Sequence, residues 1–196
     1  MLRTMDVVRA IEPGTWFVTI DLKEAYFHVP IAEEHRQFLR FSFQHKAYQY
    51  RVLPFGLSLA PRVFTKCVQA ALEPLQAEGR LVLPYLDDWL LCAATPEQAM
   101  ADTSRLLRHV TELGFKVNWE KSCLTPAQSV NFIGMHLDSR TMRVTLTKAR
   151  RLAIQHALAK VSPGRRISYI QLLRLAGLLT AATTVISMFS NYKPFS

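Results

Sequence analysis

The sequence predicts an α+β layered domain followed by two helices. Short runs of β-branched and aromatic residues alternate with stretches whose apolar residues recur at helical spacing, the pattern of one sheet with helices laid on it. Charge is segregated: residues 1–138 hold 14 Lys/Arg against 15 Asp/Glu, whereas residues 139–196 hold 10 Lys/Arg and no acid. The whole formal charge of +9 therefore sits behind the layered domain. A basic block on a near-neutral body suits either a polyanion partner or a plain solvated face.

A short helical stretch over 6–11 ends at the turn signal Glu12-Pro13-Gly14-Thr15. Residues 16–20 read as a strand, placing Asp21 at its exit. Residues 22–30 mix polar and aromatic side chains and stop at Pro30, which suits a compact turn at a pocket edge. Residues 38–43 and 47–53 read as strands around Gln44-His45-Lys46. A helix follows, with Ser58 as expected cap, Pro61 in its first turn, and Phe64, Cys67, Val68, Ala71, Leu72 and Leu75 on its buried face; Gly79 closes it. Residues 81–92 form a hairpin with Asp87 and Asp88 at its tip. Thr95-Pro96-Glu97-Gln98 reads as a capping box that starts a helix buried through Leu106, Leu107, Val110 and Leu113 and ended by Gly114. Residues 115–117 and 130–133 read as strands flanking an irregular 118–128, and 134–137 with 142–146 as a hairpin. Helices over 148–160 and 168–188, parted by Ser162-Pro163-Gly164, complete the chain.

With 196 residues, 49% of them hydrophobic, the chain can bury one substantial core, or a domain plus an appendage. The N-terminus lacks a secretory apolar core, and the longest weakly polar run, 175–189, falls short of the ~20 residues a membrane span needs. The three cysteines are widely spaced, without zinc-site or disulfide patterning. An intracellular setting, cytoplasmic or nuclear, is expected, with no membrane partner and no secretion.

The adjacent acids carry the chemical interest. Two carboxylates about 4 Å apart repel by roughly 4 kcal/mol at an effective dielectric of about 20. A solvated turn tolerates that; a divalent cation offsets it. If the strand ending at Asp21 neighbours the hairpin, three carboxylates converge, which suits two-metal phosphoryl transfer.

Five stretches, in order, resemble the motifs of reverse transcriptases. Val18-Thr19-Ile20-Asp21-Leu22-Lys23-Glu24-Ala25-Tyr26-Phe27-His28-Val29-Pro30 is similar to the first catalytic motif, and Leu53-Pro54-Phe55-Gly56-Leu57-Ser58-Leu59-Ala60-Pro61 to the template and nucleotide-binding motif. Tyr85-Leu86-Asp87-Asp88 resembles the signature box, 114–122 the fourth motif, and Phe132-Ile133-Gly134 the primer-grip turn. The details look most like DIRS-like retrotransposons, then gypsy-type elements.

The resemblance implies a polymerase right-hand palm over 16–137, an antiparallel sheet with helices packed on one face. Residues 1–15 would be a fingers lead-in and 138–196 a basic thumb-like or connection-like segment, the fingers being largely missing and no RNase H domain following. It implies an RNA-directed DNA polymerase that uses Mg²⁺, with Mn²⁺ able to substitute, and moves nucleotides from dNTPs to a primer 3′-hydroxyl on an RNA or DNA template. Asp21, Asp87 and Asp88, with the Leu22 carbonyl, would hold metal; Lys121 would give a proton to pyrophosphate, or else is a surface lysine. Leu22, Ala25, Tyr26, Phe55 and Gly56 would bind dNTP, Tyr26 as steric gate or as a mere core aromatic; retroviral enzymes usually carry Gln where Phe55 stands. Phe132, Ile133 and Gly134 would steady the primer end, and Lys148, Arg150, Arg151, Arg165, Arg166 and Arg174 would meet the nucleic-acid backbone. Other segments of the same polyprotein, fingers and RNase H, would be its partners. The alternative is a palm fragment, weak or inactive, that only binds nucleic acid.

Overall fold

The structure is a computed structural model that describes residues 2–161 and 167–191. The chain forms two compact units, one of Val18–Pro126 and one of Leu2–Phe17 together with the chain from Ala127 onward.

The first unit is built on a four-stranded sheet in the order β4-β5-β1-β6. Its strands are β1 (Trp16–Asp21), β4 (Leu81–Tyr85), β5 (Asp88–Ala93) and β6 (Cys123–Ala127). β4 and β5 are the expected antiparallel hairpin, paired from Leu81↔Cys92 to Tyr85↔Asp88. Helix α3 (Ala60–Ala77) packs on β4 and α4 (Pro96–Glu112) on β5. Their faces meet the strands through Phe64, Val68, Leu72 and Leu75 from α3 and Leu106 and Val110 from α4, against Trp89, Leu90 and Leu91. Burying each such side chain is worth about 1.5–3 kcal/mol. A second, separate hairpin joins β2 (Arg40–Phe43) to β3 (Lys46–Gln49), and every residue of both strands is exposed. Phe41 lies 5.5 Å from Tyr48 and 4.9 Å from Tyr50, ring to ring, while Phe43 stands open to solvent.

The second unit holds an antiparallel three-stranded sheet, β7 (Ser129–Phe132), β8 (Met135–Asp138) and β9 (Arg143–Leu146). Helices α1 (Thr4–Arg9), α5 (Lys148–Ala159) and α6 (Tyr169–Asn191) complete it; α6 packs against β9, α1 and α5. Val7, Phe17, Met135, Leu137 and Phe132 are among its buried side chains. Buried Ser139 ties the sheet to the lead-in, its Oγ donating to the Thr15 carbonyl at 2.6 Å.

Several expectations need correcting. Cys67 and Leu113, expected on the buried faces of α3 and α4, are exposed, because each lies off the stripe that meets the strands. Ser58 does not cap α3: the cap is Leu59, in helical backbone conformation, and the preceding turn satisfies the helix start through backbone bonds such as Ala60 N–H to the Leu57 carbonyl, 2.9 Å. Thr95 does cap α4, accepting from the Gln98 N–H at 3.2 Å, but Gln98 does not close the box; its amide donates to Asp102 at 2.8 Å, where a buried carboxylate needs donors. Residues 115–117 form only an isolated bridge, Leu22↔Val117, because the chain passes β1 at one point. Conversely, β6 lies inside the stretch read as irregular. It carries Pro126, which argues against a central strand but is tolerated on a sheet edge, where β6 sits.

Candidate active site

At the tip of the β4–β5 hairpin, Leu86 and Asp87 form the two-residue connection and Asp88 opens β5. Leu86 takes a positive φ of 52°, unusual for a bulky residue. The indole of Trp89, fully buried, donates to the Leu86 carbonyl at 2.9 Å and so fixes the tip against the core. β1 runs beside β5 and ends at Asp21. Beyond it the Leu22 N–H donates to the Asp87 carbonyl at 2.9 Å, bringing the strand exit onto the hairpin tip. Leu22 turns its side chain into the core, leaving only its backbone for chemistry.

The loop after α4 frames the same strand exit from the other side. Asn118 N–H donates to the Asp21 carbonyl at 2.8 Å and Lys23 N–H to the Lys116 carbonyl at 2.8 Å. Ser122 Oγ accepts from the Asp21 N–H at 3.0 Å and donates to the Asn118 carbonyl at 2.7 Å. Both backbone groups of Asp21 are therefore held, while its carboxylate is left for a ligand.

Asp88 senses the other two carboxylates. Asp88 is held above the usual carboxylate range, first by burial of its carboxyl, then by the charges of Asp87 and Asp21; Lys121 pulls the other way. Among the described residues no ion pair relieves Asp21, Asp87 or Asp88. Nor is any group of three His, Cys, Asp or Glu side chains drawn together tightly enough to cage an ion. Oxygen donors of this charge and type suit a hard divalent cation.

Next to the acids lies an aromatic cluster. Tyr26, in the 3₁₀ turn Ala25–His28, lies 4.9 Å from Phe55 with the rings tilted and edge-on to Phe64 at 5.7 Å. Its hydroxyl is raised above the usual tyrosine value, by burial first and then by the charges of Asp87 and Tyr85, which places it beside the hairpin tip. Phe55 is exposed and also meets Phe27 at 5.3 Å, whereas Ala25 is buried. Gly56 has a φ of 88°, and a Cβ there would enter open space, so conformation alone demands glycine. His28 ties this turn to the framing loop: its Nδ1 bonds the Ala25 carbonyl at 2.9 Å and its Nε2 accepts from the Lys116 N–H at 2.9 Å, which assigns the proton to Nδ1.

In the second unit, buried Phe132 ends β7, and Ile133 and Gly134 turn the chain into β8. Lys148, Arg151 and Arg174 are exposed; Arg150 is half-buried, and Arg165 and Arg166 lie outside the described residues.

A profile of the reverse transcriptase (RNA-dependent DNA polymerase) family matches residues 2–137. The chain belongs to the reverse transcriptase family. It is 30% identical over 132 residues to the Gag-Pro-Pol polyprotein of bovine leukemia virus, covering 63% of this chain and 9% of the polyprotein. It is 24% identical over 179 residues to Protein P of duck hepatitis B virus, covering 89% of this chain and 21% of that protein. The chain thus spans about a fifth or less of these relatives. Foamy viral protease–reverse transcriptase structures share the fold. One in complex with double-stranded DNA has a TM-score of 0.76 at 20% identity, covering 98% of this chain and 34% of that chain. Another, in complex with an RNA/DNA hybrid, has a TM-score of 0.75 at 20% identity, covering 98% of this chain and 26% of that one.

The motifs single out Asp21, Asp87 and Asp88 but not the groups that support them. Ser122 stands in a quoted motif, yet its partner Asp21 is 101 residues away in sequence, beyond any local signal. Trp89 and His28 look like core and turn residues until their ring nitrogens are paired.

Proposed function

We propose that the chain is the core of an RNA-directed DNA polymerase acting in retrotransposon replication. The observation that carries the reading is the meeting of Asp21 with the Asp87-Asp88 tip, joined by the Leu22 N–H to Asp87 carbonyl bond. Residues 16–137 serve as palm, 138–196 as a thumb-like segment, and 1–15 as lead-in. Asp21 and Asp87, assisted by Asp88 and the Leu22 carbonyl, hold Mg²⁺, for which Mn²⁺ substitutes. When bound, the ions supply activation of the attacking hydroxyl and neutralisation of phosphate charge. The primer 3′-oxygen forms a bond to the α-phosphorus of a dNTP, the bond to pyrophosphate breaks, and the hydroxyl proton passes to solvent water.

The protein's part is positioning. Tyr26, braced by Phe55 and Phe64, stands where a ribose 2′-hydroxyl would collide with it. Ala25 and Gly56 leave room for sugar and triphosphate, and exposed Phe55 offers the nucleotide an apolar wall. Lys121 gives the leaving pyrophosphate its proton. Phe132, Ile133 and Gly134 steady the primer end. Lys148, Arg151 and Arg174, with Arg165 and Arg166, contact the template–primer backbone, and the absence of acids from 139–196 supports that assignment; Arg150, also expected there, is taken up by the Ile133 carbonyl. Fingers and RNase H segments of the same polyprotein are its partners. The cysteines of the described chain are free, which suits a cytoplasmic or nuclear setting; burial pushes the Cys92 thiol up to about 12.

Primer extension on poly(rA)·oligo(dT) with Mg²⁺ tests the reading. The wild type is expected to extend the primer, and Asp87→Asn to abolish extension while leaving nucleic-acid binding largely intact. Binding without extension by the wild type favours the second reading, a palm that only binds nucleic acid.

A further inference from the structure

The β7–β8 connection is strained. Ile133 has a φ of 42° and Gly134 a φ of 82°, the backbone of a type I′ turn closed by the Phe132↔Met135 pair. Glycine adopts that conformation freely, but a β-branched residue at positive φ is an outlier that persists only where its surroundings hold it.

Here α5 holds it. The chain leaves β9 through Thr147, whose N–H donates to the Gly134 carbonyl at 3.2 Å, and one turn on, Arg150 Nη1 donates to the Ile133 carbonyl at 3.2 Å. Thr147 is also the cap of α5: its Oγ1 accepts from the Arg150 N–H at 3.3 Å. Both carbonyls of the strained turn are thus bound by the first turn of one helix. The guanidinium lies over Gly134 so closely that a Cβ there would sit 2.1 Å from Arg150 Nη1. A cation in the first turn of a helix opposes the helix dipole, and the Ile133 carbonyl gives this one a partner outside the helix.

We infer that Arg150, with Thr147, is a positioning residue that fixes the Ile133–Gly134 turn and so sets where the primer end is held. This rests on the proposed primer-steadying role of Phe132, Ile133 and Gly134. It separates Arg150 from its exposed neighbour Arg151, whose charge is free for phosphate.

Salt dependence separates the two roles, because each lost phosphate contact lowers the slope of log affinity against log salt by about one. Binding of a recessed primer–template is measured across salt concentrations for the wild type, Arg150→Ala, Arg150→Lys and Arg151→Ala, alongside steady-state extension. Arg150→Ala is expected to weaken binding and raise the KM for primer–template about tenfold, the size of one charge-assisted hydrogen bond. Its salt slope and KM for dNTP stay those of the wild type, and Arg150→Lys recovers part of the loss. Arg151→Ala lowers the slope by about one. If Arg150→Ala lowers the slope in the same way, Arg150 is a phosphate contact and the inference is wrong. If Arg150→Lys and Arg150→Ala lose every constant and thermal stability in parallel, the role is merely structural and the inference is again wrong.

A thermal-unfolding cycle of Gly134→Ala, Arg150→Ala and the double variant judges the clamp without nucleic acid. The Gly134→Ala penalty is expected to shrink when the guanidinium is removed; simple additivity overturns the clamp. Should the wild type neither bind nor extend a primer, the primer-end reading fails on its own, and the cycle still decides whether the clamp exists.

Discussion

Asp88 is the acid whose environment works against its charge. Its folded carboxyl titrates above the ordinary carboxylate range, through burial first and the neighbouring charges of Asp87 and Asp21 second. The sign follows from proton binding: between the ordinary value and the raised one, the folded state holds more protons than the unfolded state. Stability contributed at this residue is therefore present at low pH and lost as pH rises through that window. A divalent cation reverses the trend by favouring the ionised form. Asp88→Asn is expected to flatten the pH dependence and to raise the melting temperature at neutral pH in chelator. Thermal unfolding of both proteins from mildly acid to neutral pH, with and without Mn²⁺, checks this; an Asp88→Asn protein that tracks the wild type across the range would refute it. Trp89 shows the complementary case, in which a residue that reads as plain core supplies the one donor that fixes the strained Leu86 carbonyl.

At the scale of elements, the site is a frame of backbone bonds around one strand end. The loop over 114–122 holds Asp21 from one side and the β5 tip holds Leu22 from the other. Ser122 bridges two backbone groups, so Ser122→Ala removes the hydroxyl's bonds to both; the Asp21 N–H loses its partner, while the Asn118 carbonyl keeps the Ser122 N–H. Two modest hydrogen bonds are at stake, and the expected loss is about 2 kcal/mol in urea unfolding. A cost below about 0.5 kcal/mol would mean the loop does not brace the strand. The hairpin 81–92 was legible in sequence because apolar flanks and an acidic turn leave few alternatives. The strand β6 was not, because Pro126 and the polar residues around it carry the pattern of a loop, and only its place at the sheet edge makes the proline acceptable. Ser58 and Gln98 failed as caps for a related reason: backbone turns and a buried carboxylate elsewhere competed for the same hydrogen bonds.

For the whole molecule, the family profile spans residues 2–137, the stretch in which the five motifs lie in order. What order could not supply is which cations are free. The basic segment reads as uniform, yet Arg150 is bound to a carbonyl while Arg151 is exposed, a distinction that depends on where β7 and β8 turn. The same limit applies to the β2–β3 hairpin, whose aromatic residues look like core in sequence and stand in solvent in the fold.

Among the described residues that hairpin pairs with no other strand, and a lone two-stranded ribbon is marginally stable in water. Its consequence is a half-life. Arg40 and Lys46 lie in backbone that can open without disturbing the sheet beneath the acids, so a protease finds them first. Limited trypsin digestion with intact-mass readout is expected to cut within 40–51 before any other point of Val18–Pro126, while β4, β5 and α4 survive. A first cut inside α3 or α4 would show that the ribbon is better protected than its exposure implies. Preparations stored without inhibitors should then accumulate a nicked form that keeps its three acids and loses the bridge between its first two motifs.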